Sequence, residues 1–214
     1  MSRSAAGPDA PSINPVFPLL LLETMRDMDR PEEVLEGENL AASMPRRLGL
    51  SDVVYLQIHK FKEETKKKRL QTAAVVEDLV RLVIRRHDAD EIFEEAGRRM
   101  ARRAWDEKSG VSRARLRLMP SGMRNRAAAR GVRRLMERLA GSPATVRVEA
   151  RPLKVEVEQS LTARADPGGA ACAFYTGVVA EAMTVHTGRP HSASHPRCEA
   201  RGNDACEWTA FVAA

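Results

Sequence analysis

Aromatic residues are scarce: two tryptophans, two tyrosines and five phenylalanines make up 4% of the 214 residues. Proteins that hold single-stranded nucleic acid on stacking platforms need exposed aromatics, so that class has little to work with here. A long apolar run is also missing. The one near the start, Val16 to Leu22, is interrupted by Pro18 and has no basic stretch of weight before it. It falls far short of the ~20 residues that a spanning helix needs. The expectation is therefore no signal peptide and no membrane span. Cysteine is down to three, an odd number that cannot pair completely within the chain. With no export signal, thiols belong in a reducing compartment, which points to the cytoplasm and makes metal ligation their leading use. Neither a phosphate-cradling glycine loop nor a dinucleotide fingerprint is found, and His59, His87, His186 and His191 are scattered without a carboxylate or serine at catalytic spacing. These absences point to a binding protein rather than an enzyme.

Hydrophobic residues at 43% and charged residues at 30% fit a soluble globular chain long enough to bury a core. The net charge of +6 is uneven. Between Val111 and Ala140 lie nine arginines (113, 115, 117, 124, 126, 130, 133, 134 and 138) and one acid, Glu137, so this stretch alone carries +8.

The fold class read from the pattern is α+β: N-terminal helices, then a unit of β-hairpin, helix and β-hairpin, with helices packed on an antiparallel sheet. Residues 1–30, with Pro8, Pro11, Pro15 and Pro18 among small polar residues, read as a disordered tail. Residues 31–87 read as a helical region. Pro31, Glu32 and Glu33 open a helix towards Met44, and Val76, Leu79, Val80 and Val83 recur at helical spacing. Lys66 to Lys68 mark a solvated helix end. A domain over 88–214 then begins with a helix carrying Ile92, Phe93, Ala96, Met100 and Trp105.

Ala128, Val132, Leu135, Met136 and Leu139 form one stripe of a helix that Gly141 and Pro143 end, and Arg126, Arg130, Arg133, Arg134 and Arg138 fall on the opposite side. That arginine face reads either as the solvated side of an amphipathic helix or as an electrostatic footprint for nucleic acid or an anionic membrane surface. The period then becomes two. Val146 and Val148, then Leu153, Val155 and Val157, alternate with charged residues and predict a hairpin. The turn Asp166-Pro167-Gly168-Gly169 leads to a helix over 170–187, ended by Gly188, and two short strands follow around the turn Arg201-Gly202-Asn203-Asp204.

Cys172 falls at the start of that helix, His195 and Cys198 at the end of the third strand, and Cys206 at the start of the fourth. Three sulfurs and one imidazole nitrogen are the donor set that Zn²⁺ takes in a closed tetrahedral site. A closed site is structural, with no position left for a reactive water. Spacing by itself leaves a second reading open, in which Cys172 and Cys206 are small core residues and His195 lies on a strand surface.

The segment Cys172-Ala-Phe-Tyr-Thr-Gly177, then Gly188, then His195-Pro-Arg-Cys198-Glu-Ala-Arg-Gly202-Asn-Asp-Ala-Cys206-Glu-Trp208 resembles the closing signature of 4-vinyl reductase domains. These are related in fold to TRAPP subunits and haem NO-binding domains. Glu91 to Arg98, with Ile92, Phe93 and Gly97, is similar to the family's earlier helix, so the resemblance spans roughly 88–212. Members that sense aromatic effectors carry zinc on the same spacing of three cysteines, with a glutamate where this chain has His195.

The resemblance implies zinc on Cys172, His195, Cys198 and Cys206, an often dimeric domain, and an apolar pocket for a small hydrophobic molecule. Phe93, Met100, Tyr175, Val179, Met183 and Trp208 are its candidate lining, with core packing as the plainer reading. The function expected is a zinc-stabilised sensor or adapter for an aromatic or tetrapyrrole-like molecule. The alternatives are a nucleic-acid-binding regulator using the helix over 121–140, and an accessory role in bacteriochlorophyll vinyl reduction.

Overall fold

A computed structural model describes residues 12–29, 52–140, 145–150 and 152–213. The architecture is α+β, with N-terminal helices and one four-stranded antiparallel sheet. In chain order the elements are β1 (Ser12–Ile13), α1 (Val16–Met28), α2 (Asp52–Lys66), β2 (Gln71–Thr72), α3 (Ala73–Val83), α4 (Ala89–Asp106), α5 (Gly110–Leu118), α6 (Ser121–Ala140), β3 (Thr145–Ala150), β4 (Leu153–Glu158), α7 (Leu161–Ala165), α8 (Ala173–Thr187), β5 (His191–Arg197) and β6 (Cys206–Val212).

Residues 16–28 overturn the expectation of a disordered tail over 1–30. They form α1, which buries Phe17, Leu19, Leu20, Leu21, Leu22 and Met25. Pro18 is compatible because it stands in the first turn, where a helix has no internal partner for the missing N–H. Asn14 supports the start: its side-chain oxygen accepts from the Val16 N–H at 3.0 Å. Ile13 and Ser12 pair with Gln71 and Thr72 as a two-stranded ribbon, so the chain ahead of α1 is also tied down. The helix expected from Pro31 towards Met44, residues 1–11, and the Gly141 and Pro143 stop lie outside the described residues.

Further along, the helical periods predict well. Val76, Val80 and Val83 are fully buried in α3, and Ile92, Phe93, Ala96, Met100 and Trp105 are buried in α4. The lysine run ends α2 as expected: Lys66 is its last residue, and Lys68 takes the left-handed φ of 53° that turns the chain away.

The centre of the molecule is α8, buried along most of its length, with Glu181 and His186 as polar residues among its otherwise apolar buried side chains. It lies between the sheet and α4. Two glycines set its distance from α4: a Cβ on Gly97 would run into the Phe174 carbonyl, and one on Gly177 into the Glu94 carbonyl. Each helix thus offers a bare backbone to the other. Arg102 closes the edge of this contact, gripping both carboxylate oxygens of the buried Glu181 at 3.0 and 3.2 Å. Phe17 of α1 reaches the same layer, its ring 4.4 Å from that of Phe174 in an edge-on contact.

The sheet order is β3-β4-β6-β5, antiparallel throughout. Leu153, Val155 and Val157 point into the core from β4, and Cys206, Trp208 and Ala210 from β6. Lys154, Glu156 and Glu207 alternate with them on the other face, where Lys154 Nζ meets Glu207 at 3.0 Å. This is the one-sided burial that period-two alternation predicts.

Candidate metal centre

Four short segments converge at one end of the sheet. The first is the loop ahead of α8. Asp166, itself buried, accepts from the Gly168 N–H at 2.9 Å and the Ala171 N–H at 2.8 Å, folding the turn back on itself. Gly169 completes it at φ +82°, a conformation that favours glycine, and an added Cβ there would stand 3.2 Å from Cys198 Sγ, tighter than ordinary contact. A short 3₁₀ turn over Ala170–Cys172 then delivers Cys172 to the cap of α8.

The second segment is the end of β5. Its register against β6 slips between Ser194 and Arg197, and His195 sits in that irregularity. A bulge re-aims a side chain that a regular strand would direct elsewhere. His195 lies flat on Trp208 and its Nε2 is buried with no hydrogen-bond partner, while Nδ1 faces the Arg201 guanidinium at 3.3 Å.

The turn after β5 supplies Cys198. Its N–H donates to Asn203 Oδ1 at 2.9 Å, its carbonyl accepts from Arg201 and Asn203, and Gly202 turns the chain at φ +87°. The start of β6 supplies Cys206, whose sulfur accepts from the Glu199 N–H at 3.4 Å.

The ligand atoms of Cys172, His195, Cys198 and Cys206 all lie within 4.8 Å of one another. Cys172 Sγ and Cys198 Sγ are 3.8 Å apart. A tetrahedron of bonds near 2.3 Å has sulfur-to-sulfur edges of about 3.8 Å. The three cysteines are free and buried. Sulfurs at this separation without a disulfide, together with an orphaned buried imidazole nitrogen, form a donor set that could hold a metal ion. This is the set expected from the sequence, and the alternative of His195 as an outlying strand residue is not what the geometry gives.

The thiols act on one another's protons. The hydrogen bond with Cys172 draws the Cys206 thiol down to about 4, helped by His195 and the Glu199 N–H against the opposing effect of burial. The same hydrogen bond, then burial, pushes Cys172 up. Three thiolates side by side in a buried site repel one another, and a cation is what lets all three lose their protons.

Around the sulfurs is a supporting layer that the sequence did not announce. Thr162 Oγ1 lies 3.3 Å from Cys172 Sγ and 2.8 Å from Ser160 Oγ. Glu199 accepts from the N–H groups of Gln159 at 2.5 Å and Ser160 at 2.8 Å, and its Oε2 lies 3.7 Å from Cys206 Sγ. Burial pushes the Glu199 carboxyl up. Glu199 thereby fastens the end of β4 to the metal-site turn. Its place between Cys198 and Cys206 was visible in the sequence; its partners, some forty positions upstream, were not.

The six candidate lining residues are all buried: Phe93, Met100, Tyr175, Val179, Met183 and Trp208 belong to the core. Tyr175 and Trp208 meet edge to face at 5.2 Å, and the Trp208 Nε1–H donates to Thr176 Oγ1 at 3.1 Å. Met100 also lines a crevice of about 50 Å³ beside α6, too small for a drug-sized ligand. The arginine face is placed as expected, with Arg126, Arg130, Arg133, Arg134 and Arg138 all exposed on α6. Among the described residues no helix is long and apolar enough to cross a membrane. No family model, curated protein or solved structure matches this chain.

Proposed function

We propose that this chain is a zinc-stabilised, non-enzymatic domain that binds a small hydrophobic molecule, aromatic or tetrapyrrole-like, and serves in the cytoplasm as a sensor or adapter. The observation that carries the reading is the convergence of Cys172, His195, Cys198 and Cys206 with their ligand atoms within 4.8 Å of one another. Three thiolates and one imidazole suit zinc better than the harder divalent ions, and with all four positions taken the ion would be structural. It would pin the start of α8 to β6 and to the turn after β5.

The binding role rests on the resemblance to 4-vinyl reductase domains and on the chemistry of the interior beside the cluster. Tyr175 and Trp208 offer aromatic faces there, and Met100 and Met183 are flexible enough to yield to a guest. Entry would require those side chains to repack.

Elemental analysis of the purified protein, wild type and His195→Ala, tests the metal. One zinc per chain, reduced or lost in the variant, supports the site; no metal in protein purified under reducing conditions sinks it. The binding role is tested separately on zinc-loaded protein by melting it with a panel of aromatic compounds and a tetrapyrrole. A guest at a hundred times its Kd raises stability by about 2.7 kcal/mol. A flat response across the panel would leave a purely structural zinc domain.

A further inference from the structure

Helix α5 is nine residues long, and not one of its described side chains is buried. A helix that short is not stable by itself in water. Its own support is slight: Ser109 caps it by accepting from the Ser112 N–H at 3.3 Å, and Arg113 pairs with Asp106 at 3.0 Å.

Yet the helix is patterned. Val111, Ala114 and Leu118 share one face at helical spacing, and with Met119 and Met123 they line an open, mostly apolar groove of about 610 Å³ into which Arg115 also faces. Val111 is 81% exposed, Leu118 87% and Met123 52%. Scattered single apolar residues on a surface need no explanation, but an amphipathic turn with its apolar side outward and contiguous does.

The groove runs directly into the arginine face. On α6, Met123 occupies the same outward side as Arg126, Arg130 and Arg134. None of these three arginines forms an ion pair among the described residues, whereas Arg113 does. The surface is therefore one strip, apolar at the α5 end and cationic along α6.

We propose that this strip is a docking surface for an anionic phospholipid membrane, with Val111, Leu118 and Met123 entering the headgroup boundary and the α6 arginines meeting lipid phosphates and carboxylates. Charge complementarity fixes the sign of the partner. The apolar end then separates lipid from nucleic acid: DNA would engage the arginines but give Val111, Leu118 and Met123 nothing to bury against, and residues 107–140 contain no aromatic side chain for base stacking. A bilayer supplies both chemistries at one depth, and long arginine side chains reach headgroups while their stems stay apolar. Stable attachment at a surface takes two such signals together, which is what the strip presents.

The test is co-sedimentation of the full chain with vesicles of phosphatidylcholine alone or mixed with phosphatidylserine, alongside duplex DNA binding. The mixed vesicles should retain the protein and the neutral ones should not. The double variant Arg130→Glu, Arg134→Glu should weaken retention by about tenfold or more. Val111→Ser with Leu118→Ser should weaken it by about fivefold or more with every arginine intact. Arg85→Glu, which reverses an exposed charge beyond the end of α3, should change it by less than about twofold. All the substituted side chains are exposed, and unchanged melting would confirm that the variants fold. Equal retention on both vesicle types, or retention indifferent to the two serine substitutions, overturns the proposal. Tight DNA binding that responds to the arginine variants and not to the serine ones reassigns the face to nucleic acid.

Discussion

The imidazole of His195 lies on the indole of Trp208 with ring centroids 4.6 Å apart and planes 5° from parallel. Trp208 is fully buried and its own N–H is held by Thr176, so the indole is a fixed shelf that sets the tilt of the histidine towards the sulfurs. Replacing it should cost in two separable ways. Trp208→Ala removes a large core side chain and should destabilise the fold by about 3–5 kcal/mol. Trp208→Phe keeps an aromatic face and should lose much less. If the shelf orients the ligand, both variants should weaken zinc affinity in proportion to the lost stacking, by about tenfold for Ala. Competition against a chelator in buffer, with stability measured in parallel, separates the two effects.

If the cluster holds the proposed zinc, removing it should loosen the C-terminal unit. Cys198→Ser, or the wild type stripped with a strong chelator, should melt at least ~10 °C lower, since the binding free energy of a structural zinc is largely folding free energy. An unchanged melting temperature would show that the cluster holds nothing of consequence.

Gly169 is the tightest backbone constraint at the site. Gly169→Ala forces a left-handed alanine at about 1–2 kcal/mol and puts its Cβ against Cys198 Sγ. The variant should lose both stability and zinc affinity, whereas Gly188→Ala, equally left-handed at φ +73° but with open space around it, should lose stability alone. Paired zinc titrations and melts read out the difference.

Acid should weaken the Arg86–Asp88 pair at the start of α4. Arg86 binds Asp88 with two hydrogen bonds of 2.8 Å and reaches Asp29, at the end of α1, at 3.1 and 2.5 Å. The hydrogen bond from Arg86 holds the Asp88 carboxyl below the usual carboxylate range against the smaller opposing effect of burial. A folded-state value below the unfolded one means the stabilisation is complete above about pH 4 and fades as pH falls through the lowered value. Asp88→Asn should therefore cost about 1 kcal/mol near neutral pH and progressively less in acid. Urea melts of the two proteins from pH 7 down to pH 3 would show the gap closing; a constant gap would mean the carboxylate charge is not what matters.

Much of the C-terminal unit was legible because its signals are local. Val146 to Glu149 and Leu153 to Glu158 each alternate, Gly188 is a helix stop, and three thiols with a histidine make a metal-type donor set. The N-terminus was misread for an equally physical reason. Four prolines imply disorder unless one knows which of them stands in the first turn of a helix, and that depends on where Leu19 to Leu22 find cover. The cover comes from α2 and α4, later in the chain. Glu199 and Asp166 escaped notice likewise, since their value lies in which N–H groups they meet. The lining residues Phe93, Tyr175 and Trp208 could not be told from core in advance, because a pocket and a core draw on the same apolar side chains.

The contact between Phe17 and Phe174 has a consequence for how the molecule comes into being. Helix α1 leaves the ribosome about 150 residues ahead of the ring it packs against, roughly 10 to 30 s at ordinary synthesis rates. Until then α1 has only α2 and α4 beside it, and the layer around Phe17 closes once Phe174 arrives. A nascent chain of this design leaves part of the α1 apolar face open to a holding chaperone in the interval, and closure of this layer should be limited by the arrival of α8.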